Sequence, residues 1–117
     1  MTSKCEKAVE AEISPINFYR SKVFQALADP IRLGIIEFLG KDERCVCEIV
    51  AAFPRGQSTI SKHLNILHEA GILDRRFEGK KTLYKVKNPE IFKLVKIVDS
   101  ILSRSLSEAA ETLGLIR

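Results

Sequence analysis

Sulfur and one run of polar side chains are what this sequence offers to chemistry. Cys45 and Cys47 stand one residue apart, and Cys5 stands alone near the start. Three cysteines so unevenly placed make no disulfide framework, which leaves soft-ion binding, a thiol redox switch, or small buried side chains. Thiolates are soft ligands that select arsenite, antimonite, cadmium, lead or copper(I) over magnesium or calcium. At roughly 100° per residue, side chains two apart on an ideal helix diverge by about 200°. Cys45 and Cys47 can therefore face one ion only at a helix's frayed start or by distorting it, and a ligand bridging both would strain that helix and move the next one. Bonding the two directly would close a small strained ring, so a redox switch is expected to pair Cys5 with one of them instead. With at most three thiolates, the set suits trigonal arsenite, antimonite or lead better than a four-sulfur cadmium or zinc site.

The second constellation is Gln57-Ser58-Thr59-Ile60-Ser61-Lys62-His63. Its amide, hydroxyl and ammonium groups, with no acid among them, are what contacts phosphates and base edges in a DNA major groove. Pro54 and Gly56 precede it, Ile60, Leu64 and Leu67 recur at helical spacing, and Gly71 closes it. The hydroxyls of Ser58 and Thr59 are short enough to cap the starting helix. A polar first turn on an ordinary surface helix has the same composition. Charge favours the nucleic-acid reading: residues 55–87 hold eight Lys or Arg against three Asp or Glu, whereas the flanking segments are close to balance.

These residues must be positioned by one domain, since 117 residues with 45% apolar and 29% charged side chains is ordinary globular composition. No run of about 18 apolar residues occurs and residues 1–12 lack an apolar leader core, so a cytoplasmic protein without a membrane partner is expected. Ser14-Pro15 starts a first helix over roughly 16–27, and Asp29-Pro30 repeats the device ahead of a short apolar helix ended by Gly40. After the charged turn Lys41 to Arg44, the residues Val46, Ile49, Val50 and Phe53 mark a third helix stopped by Pro54. Two short helices joined by a brief Gly-containing turn make a helix-turn-helix at about 46–70. Residues 72–77 and 82–86 carry β-formers in partial alternation around Glu78-Gly79-Lys80-Lys81, a basic hairpin over about 72–87. Its Arg75, Arg76, Lys80 and Lys81 are placed to lie along DNA, although surface hairpins also carry lysine with no partner. From about 89, Ile91, Leu94, Val95, Val98, Ile101, Leu102 and Leu106 succeed one another at heptad-like spacing, more apolar surface than one small domain can cover. The expected fold is mainly α with a small β-hairpin, a winged helix-turn-helix in a single domain over 1–117. A flexible arm at 1–13 and helical dimerisation elements at both ends complete a homodimer. No base accompanies the cysteines, and neither a Cys-x-x-Cys nor a glycine-rich phosphate loop occurs, so an enzyme is not expected.

Laid out in this order, the chain resembles the ArsR/SmtB family of winged-helix repressors. The resemblance covers residues 20–87 and rests on Ala26-Leu27-Ala28-Asp29-Pro30-Ile31-Arg32-Leu33, Cys45-Val46-Cys47-Glu48-Ile49, the run Gln57 to Leu64 with Leu67, and Ala70-Gly71-Ile72-Leu73. It implies a dimer that occupies double-stranded operator DNA without any cofactor and releases it when a soft metal or metalloid binds. It puts DNA contacts on Gln57, Ser58, Thr59, Ser61, Lys62 and His63 and the wing on Arg75 through Lys81, and the two-fold dimer implies an imperfect palindrome. Family members with Cys-x-Cys ahead of the recognition helix place effector ligands at Cys45 and Cys47. The arsenite pattern has a further Cys three residues on, where this chain has Val50, so a third sulfur would come from Cys5, as in sensors whose N-terminal arm contributes cysteines. The family's zinc site on the last helix is excluded because residues 88–117 contain no histidine. The effector expected at Cys45, Cys47 and Cys5 is arsenite or antimonite, with cysteine oxidation or lead and cadmium as alternatives.

Overall fold

The computed structural model describes residues 9–114, which places Cys5 and most of the expected arm outside the described residues. The elements are α1 Ile16–Leu27, α2 Pro30–Leu39, β1 Arg44–Cys45, α3 Val46–Ala52, α4 Gln57–Glu69, β2 Leu73–Glu78, β3 Lys81–Val86 and α5 Glu90–Thr112. Asp29 starts α2: its carboxylate accepts from the N–H groups of Ile31 and Arg32 at 2.9 and 3.1 Å, satisfying two otherwise orphaned donors. At α4 the cap differs from expectation. Gly56 is the N-cap and no side chain caps the helix, so Ser58 and Thr59 lie within the first turn with their hydroxyls free to point outward. The far end of α4 closes as a Schellman turn, with Ile72 N–H on Leu67 O and Gly71 N–H on His68 O at 3.0 Å each. Gly71 carries the positive φ of 79° that this turn requires.

The sheet has three strands where the sequence suggested two. Its antiparallel order is β1-β3-β2, with Arg44 opposite Tyr84 and Cys45 opposite Leu83. Two residues are too few to show a strand's alternation, which is why this segment read as a charged turn.

The core is one cluster: Ile35, Ile36 and Leu39 of α2, Ile49 of α3, Ile60, Leu64 and Leu67 of α4, and Ile72, Leu73 and Tyr84 of the hairpin. Because the α4 stripe is fully buried, the opposite side of its first two turns must face outward. A polar clamp fixes α4 against the α1–α2 corner. The Arg32 guanidinium donates to the carbonyls of Ala26 and Gln25 at 2.7 and 3.2 Å and to His63 Nδ1 of α4 at 3.1 Å, while His63 Nε2 lies 4.0 Å from Asp29.

By contrast α5 buries no residue in the single chain, and Phe18, Tyr19 and Phe24 of α1 with Ile97, Ile101 and Leu106 of α5 are exposed. The radius of gyration, 19.8 Å, exceeds the roughly 13 Å of a compact chain near this length, and of α5 the first residues, Ile91 and Phe92, pack on the core.

Replacing Leu64 with Ala should cost about 2–5 kcal/mol of unfolding free energy, read by urea titration; a loss below about 1 kcal/mol would contradict its place in the core. Asp29 is held below the usual carboxylate range, chiefly by the Arg32 backbone N–H and further by the Ile31 N–H and the charges of His63 and Arg32, against the opposing effect of desolvation. A depressed carboxyl stabilises the fold above its ordinary value and loses that contribution as pH falls through its lowered folded value. Asp29→Asn should therefore melt below wild type at neutral pH, with the gap closing toward about pH 2; an unchanged gap would contradict the clamp.

Candidate nucleic-acid interface and thiol pair

The outward side of α4 presents Gln57, Ser58, Thr59, Ser61 and Lys62, all exposed. The first backbone N–H used within the helix is that of Ile60, bonded to Gly56 O at 3.0 Å, so those of Gln57, Ser58 and Thr59 point out from the end carrying the positive half of the helix dipole. Free donors, a partial positive charge and Lys62 together suit an anion, and phosphate is the anion that repeats along DNA. His63 does not join them. Its side chain is only 15% exposed and is drawn inward to Arg32 and Asp29.

The hairpin supplies a second basic edge. Its two-residue loop has Gly79 at φ 60° with no positive φ at Lys80, the II′ pattern that matches the twist of paired strands. Lys80 and Lys81 are exposed at the tip, and Arg75 projects from the strand leading to it. Arg76 was expected beside them and is otherwise engaged. Its guanidinium meets both oxygens of Glu43 at 2.6 and 2.8 Å and Glu78 at 2.9 Å, tying the hairpin to the segment before β1. The fork–fork bond with Arg76 holds Glu43 below the usual carboxylate range and raises Arg76 in turn.

The thiols depart from the geometry expected of two positions on one helix. Cys45 is not on a helix: it is the last residue of β1, extended at φ −77° and ψ 158°, while Cys47 lies in the first turn of α3. The change from strand to helix turns both side chains to the same side, with Cα atoms 5.4 Å apart and the sulfurs joined as a disulfide. Of the two expected routes to convergence, a helix start or a distorted helix, the pair takes the first, since Cys45 is the N-cap and α3 is regular from Val46 onward, whereas the expectation that a bond between them was disfavoured is overturned. Cys45 is buried and Cys47 exposed, so the pair is reached from one side. Among the described residues no three His, Cys, Asp or Glu side chains are grouped to hold a metal ion. The donor set here is thus two sulfurs, which fits a soft ion and not a closed four-ligand zinc site.

Two residues that carried no role in the sequence hold this corner. Glu48 accepts from the Cys45 N–H at 3.1 Å and from Arg44 Nη1 at 3.2 Å, and these contacts, the Cys45 N–H foremost, lower its carboxyl. A Glu three residues into a helix is the reciprocal half of a capping box, a signal present in the sequence and hidden because cysteine is an unusual cap. Arg44 also stacks its guanidinium over Phe38 at 4.7 Å, and Phe38 meets Phe53 edge-to-face at 5.8 Å. Phe53 is the C-cap of α3, and a Cβ added at Gly34 would stand 3.0 Å from its ring. A continuous path of contacts therefore leads from Cys45 to the turn that launches α4. His68, in the last turn of α4, has its Nδ1 out of solvent without a hydrogen-bond partner.

Known proteins share this fold. Residues 29–75 match the family described as bacterial regulatory protein, arsR family. An HTH-type transcriptional regulator of Methanocaldococcus jannaschii, MJ1325, is 38% identical over 82 residues, 69% of this chain and 92% of that one. The arsenical resistance operon repressor of Escherichia coli is 38% identical over 79 residues, 67% of this chain and 68% of that one. Among solved structures, the homodimeric winged helix-turn-helix DNA-binding domain Mb0332 of Mycobacterium bovis superposes with a TM-score of 0.67 at 24% identity, covering 81% of this chain and 91% of that one. The relatives are regulators and not enzymes, the architecture is a winged helix-turn-helix, and no helix is long and apolar enough to cross a membrane among the described residues. The chain belongs to the arsR family of bacterial transcriptional regulators.

Proposed function

We propose that this protein is a homodimeric repressor that holds operator DNA with α4 and the wing, and releases it when arsenite or antimonite binds Cys45 and Cys47. The observation that carries the DNA half is the outward side of α4, free of acid and uncapped, set beside a basic hairpin tip. Gln57 and Ser61 reach base edges; Ser58, Thr59, Lys62, Lys80 and Lys81 take phosphates; Arg75 faces DNA from the wing; His63 and Arg76 act as supports. Dimerisation is supported by the uncovered apolar sides of α1 and α5 and by the homodimeric Mycobacterium bovis domain. Two such helices related by a two-fold axis read an imperfect palindrome, and the protein works in the cytoplasm, where operator DNA is.

The effector half rests on the thiol pair. Once the disulfide is reduced to two thiols, Cys45 and Cys47 would hold one soft ion between them, a spacing that Cα atoms 5.4 Å apart allow. The bound metalloid supplies a link between the two sulfurs, with a third position open to Cys5, which lies outside the described residues. What this chain adds is the coupling. Cys45 belongs to a strand paired with the wing, Cys47 to the helix before α4, and Glu48 bonds the Cys45 backbone. A change in the sulfur separation therefore acts on the wing strand and on the Arg44–Phe38–Phe53 column together. The E. coli relative named for arsenical resistance supports arsenite among thiophilic ions.

A second reading is favoured by the bond between the two sulfurs: the two thiols would be oxidised to one disulfide while peroxide is reduced to two waters, and the same corner would respond.

Cys45→Ser or Cys47→Ser should leave operator affinity intact and abolish release by arsenite in an anisotropy titration; release of wild type by peroxide with arsenite inert would replace the first reading with the second. Lys80→Ala with Lys81→Ala removes four lysines from the dimer and should weaken binding to all duplexes and flatten the log–log salt slope by up to about four. An unaltered slope would take the wing off DNA.

A further inference from the structure

We propose that Arg75 and Phe77 form a minor-groove reader on the wing, which gives the protein a preference for the sequence flanking each half-site. The inference rests on the DNA-binding reading above and adds to it a contact residue, Phe77, and a second, shape-based source of specificity.

Phe77 is 69% exposed near the tip of a basic hairpin. The Arg75 guanidinium lies over its ring at 5.6 Å, so the cation is held out on an aromatic plate instead of trailing in solvent. Strand register fixes which way the pair faces. Leu73, Arg75 and Phe77 alternate onto one side of the sheet together with Val86, Tyr84 and Thr82, and Leu73 and Tyr84 on that side are buried in the core shared with α4. Arg75 and Phe77 therefore continue, toward the tip, the sheet side on which α4 packs. Arg76 and Glu78 lie on the other side and neutralise each other with Glu43.

Distance fits the same partner. Four strand steps from Leu73 carry Phe77 about 13 Å outward, and the two-residue loop adds further reach. Beside a major groove filled by α4, the next minor groove lies about half of a ~34 Å turn away. A narrow A·T-rich minor groove concentrates negative potential and attracts arginine. Apolar side chains inserted there wedge between base steps and let the duplex bend around the protein. The hairpin packs on α2, α3 and α4, so a second copy covering α1 and α5 leaves Phe77 free for DNA.

The test uses the full-length dimer and duplexes enriched by wild type from a random library, with flanks beside the half-sites made A·T, G·C or inosine·C. Inosine removes only the minor-groove amino group of guanine and leaves its major-groove edge unchanged. Wild type should bind A·T and inosine flanks alike and G·C flanks about tenfold more weakly. Phe77→Ala should melt as wild type does, bind A·T flanks about tenfold more weakly, and no longer distinguish the three; Phe77→Leu, which keeps a wedge, should fall between. Gln57→Ala should lose half-site preference and keep flank preference, which separates this contact from the recognition helix. Wild-type flank discrimination in Phe77→Ala would overturn the reader while leaving the repressor reading intact, and failure to enrich any duplex would overturn both.

Discussion

Between Cys45 and Cys47 the backbone changes from strand to helix, and the rest of the molecule depends on that step. An extended residue followed by the first turn of α3 brings two sulfurs together without bending either element. The same step joins the wing sheet to the helix-turn-helix, because Cys45 pairs with Leu83 of β3 while Val46 begins α3. A chemical event at the sulfurs therefore acts where the wing sheet joins the helix that precedes α4. Glu48 and Arg44 stiffen this corner through charge-assisted bonds, and the two phenylalanines behind Arg44 extend it to the base of α4.

The recognition helix is held from two sides. Its apolar stripe is sealed in the core, and its inward-drawn His63 is bound to the α1–α2 corner through Arg32. The outer face is thus free of structural duty, which is the condition for a surface to be specialised for DNA. The division of labour in the wing is similar: Arg76 is spent on holding the hairpin to Glu43, and the remaining cations are left at its tip and on the strand leading there. At the other pole of the molecule, α1 and α5 leave their apolar sides uncovered, the surface on which the proposed dimer rests.

Much of this was legible in the sequence, for physical reasons. Periodicity in α1, α2, α4 and α5, the Asp29-Pro30 start and the glycine stops are local signals, and each element lies within a residue or two of where those signals put it. The outward residues of α4 were implied by its buried stripe. What escaped depends on contacts distant in sequence. The Cys5 reading falls outside the described residues. A two-residue strand exists only because β3 is beside it, so β1 and the true geometry of the thiol pair were hidden. Arg76 and His63 carried the right chemistry for DNA, and their partners Glu43 and Arg32 lie 33 and 31 residues away, beyond any spacing rule.

Amide hydrogen exchange on the reduced dimer, with and without stoichiometric arsenite, reports on whether the strand-to-helix corner carries the switch. The expected result is that exchange at Cys45 and along the β1–β3 pairing changes together with the first turn of α4, while the core amides of α2 stay as they were. A change confined to residues 45–48, with β3 and α4 unaffected while arsenite still releases operator, would contradict it.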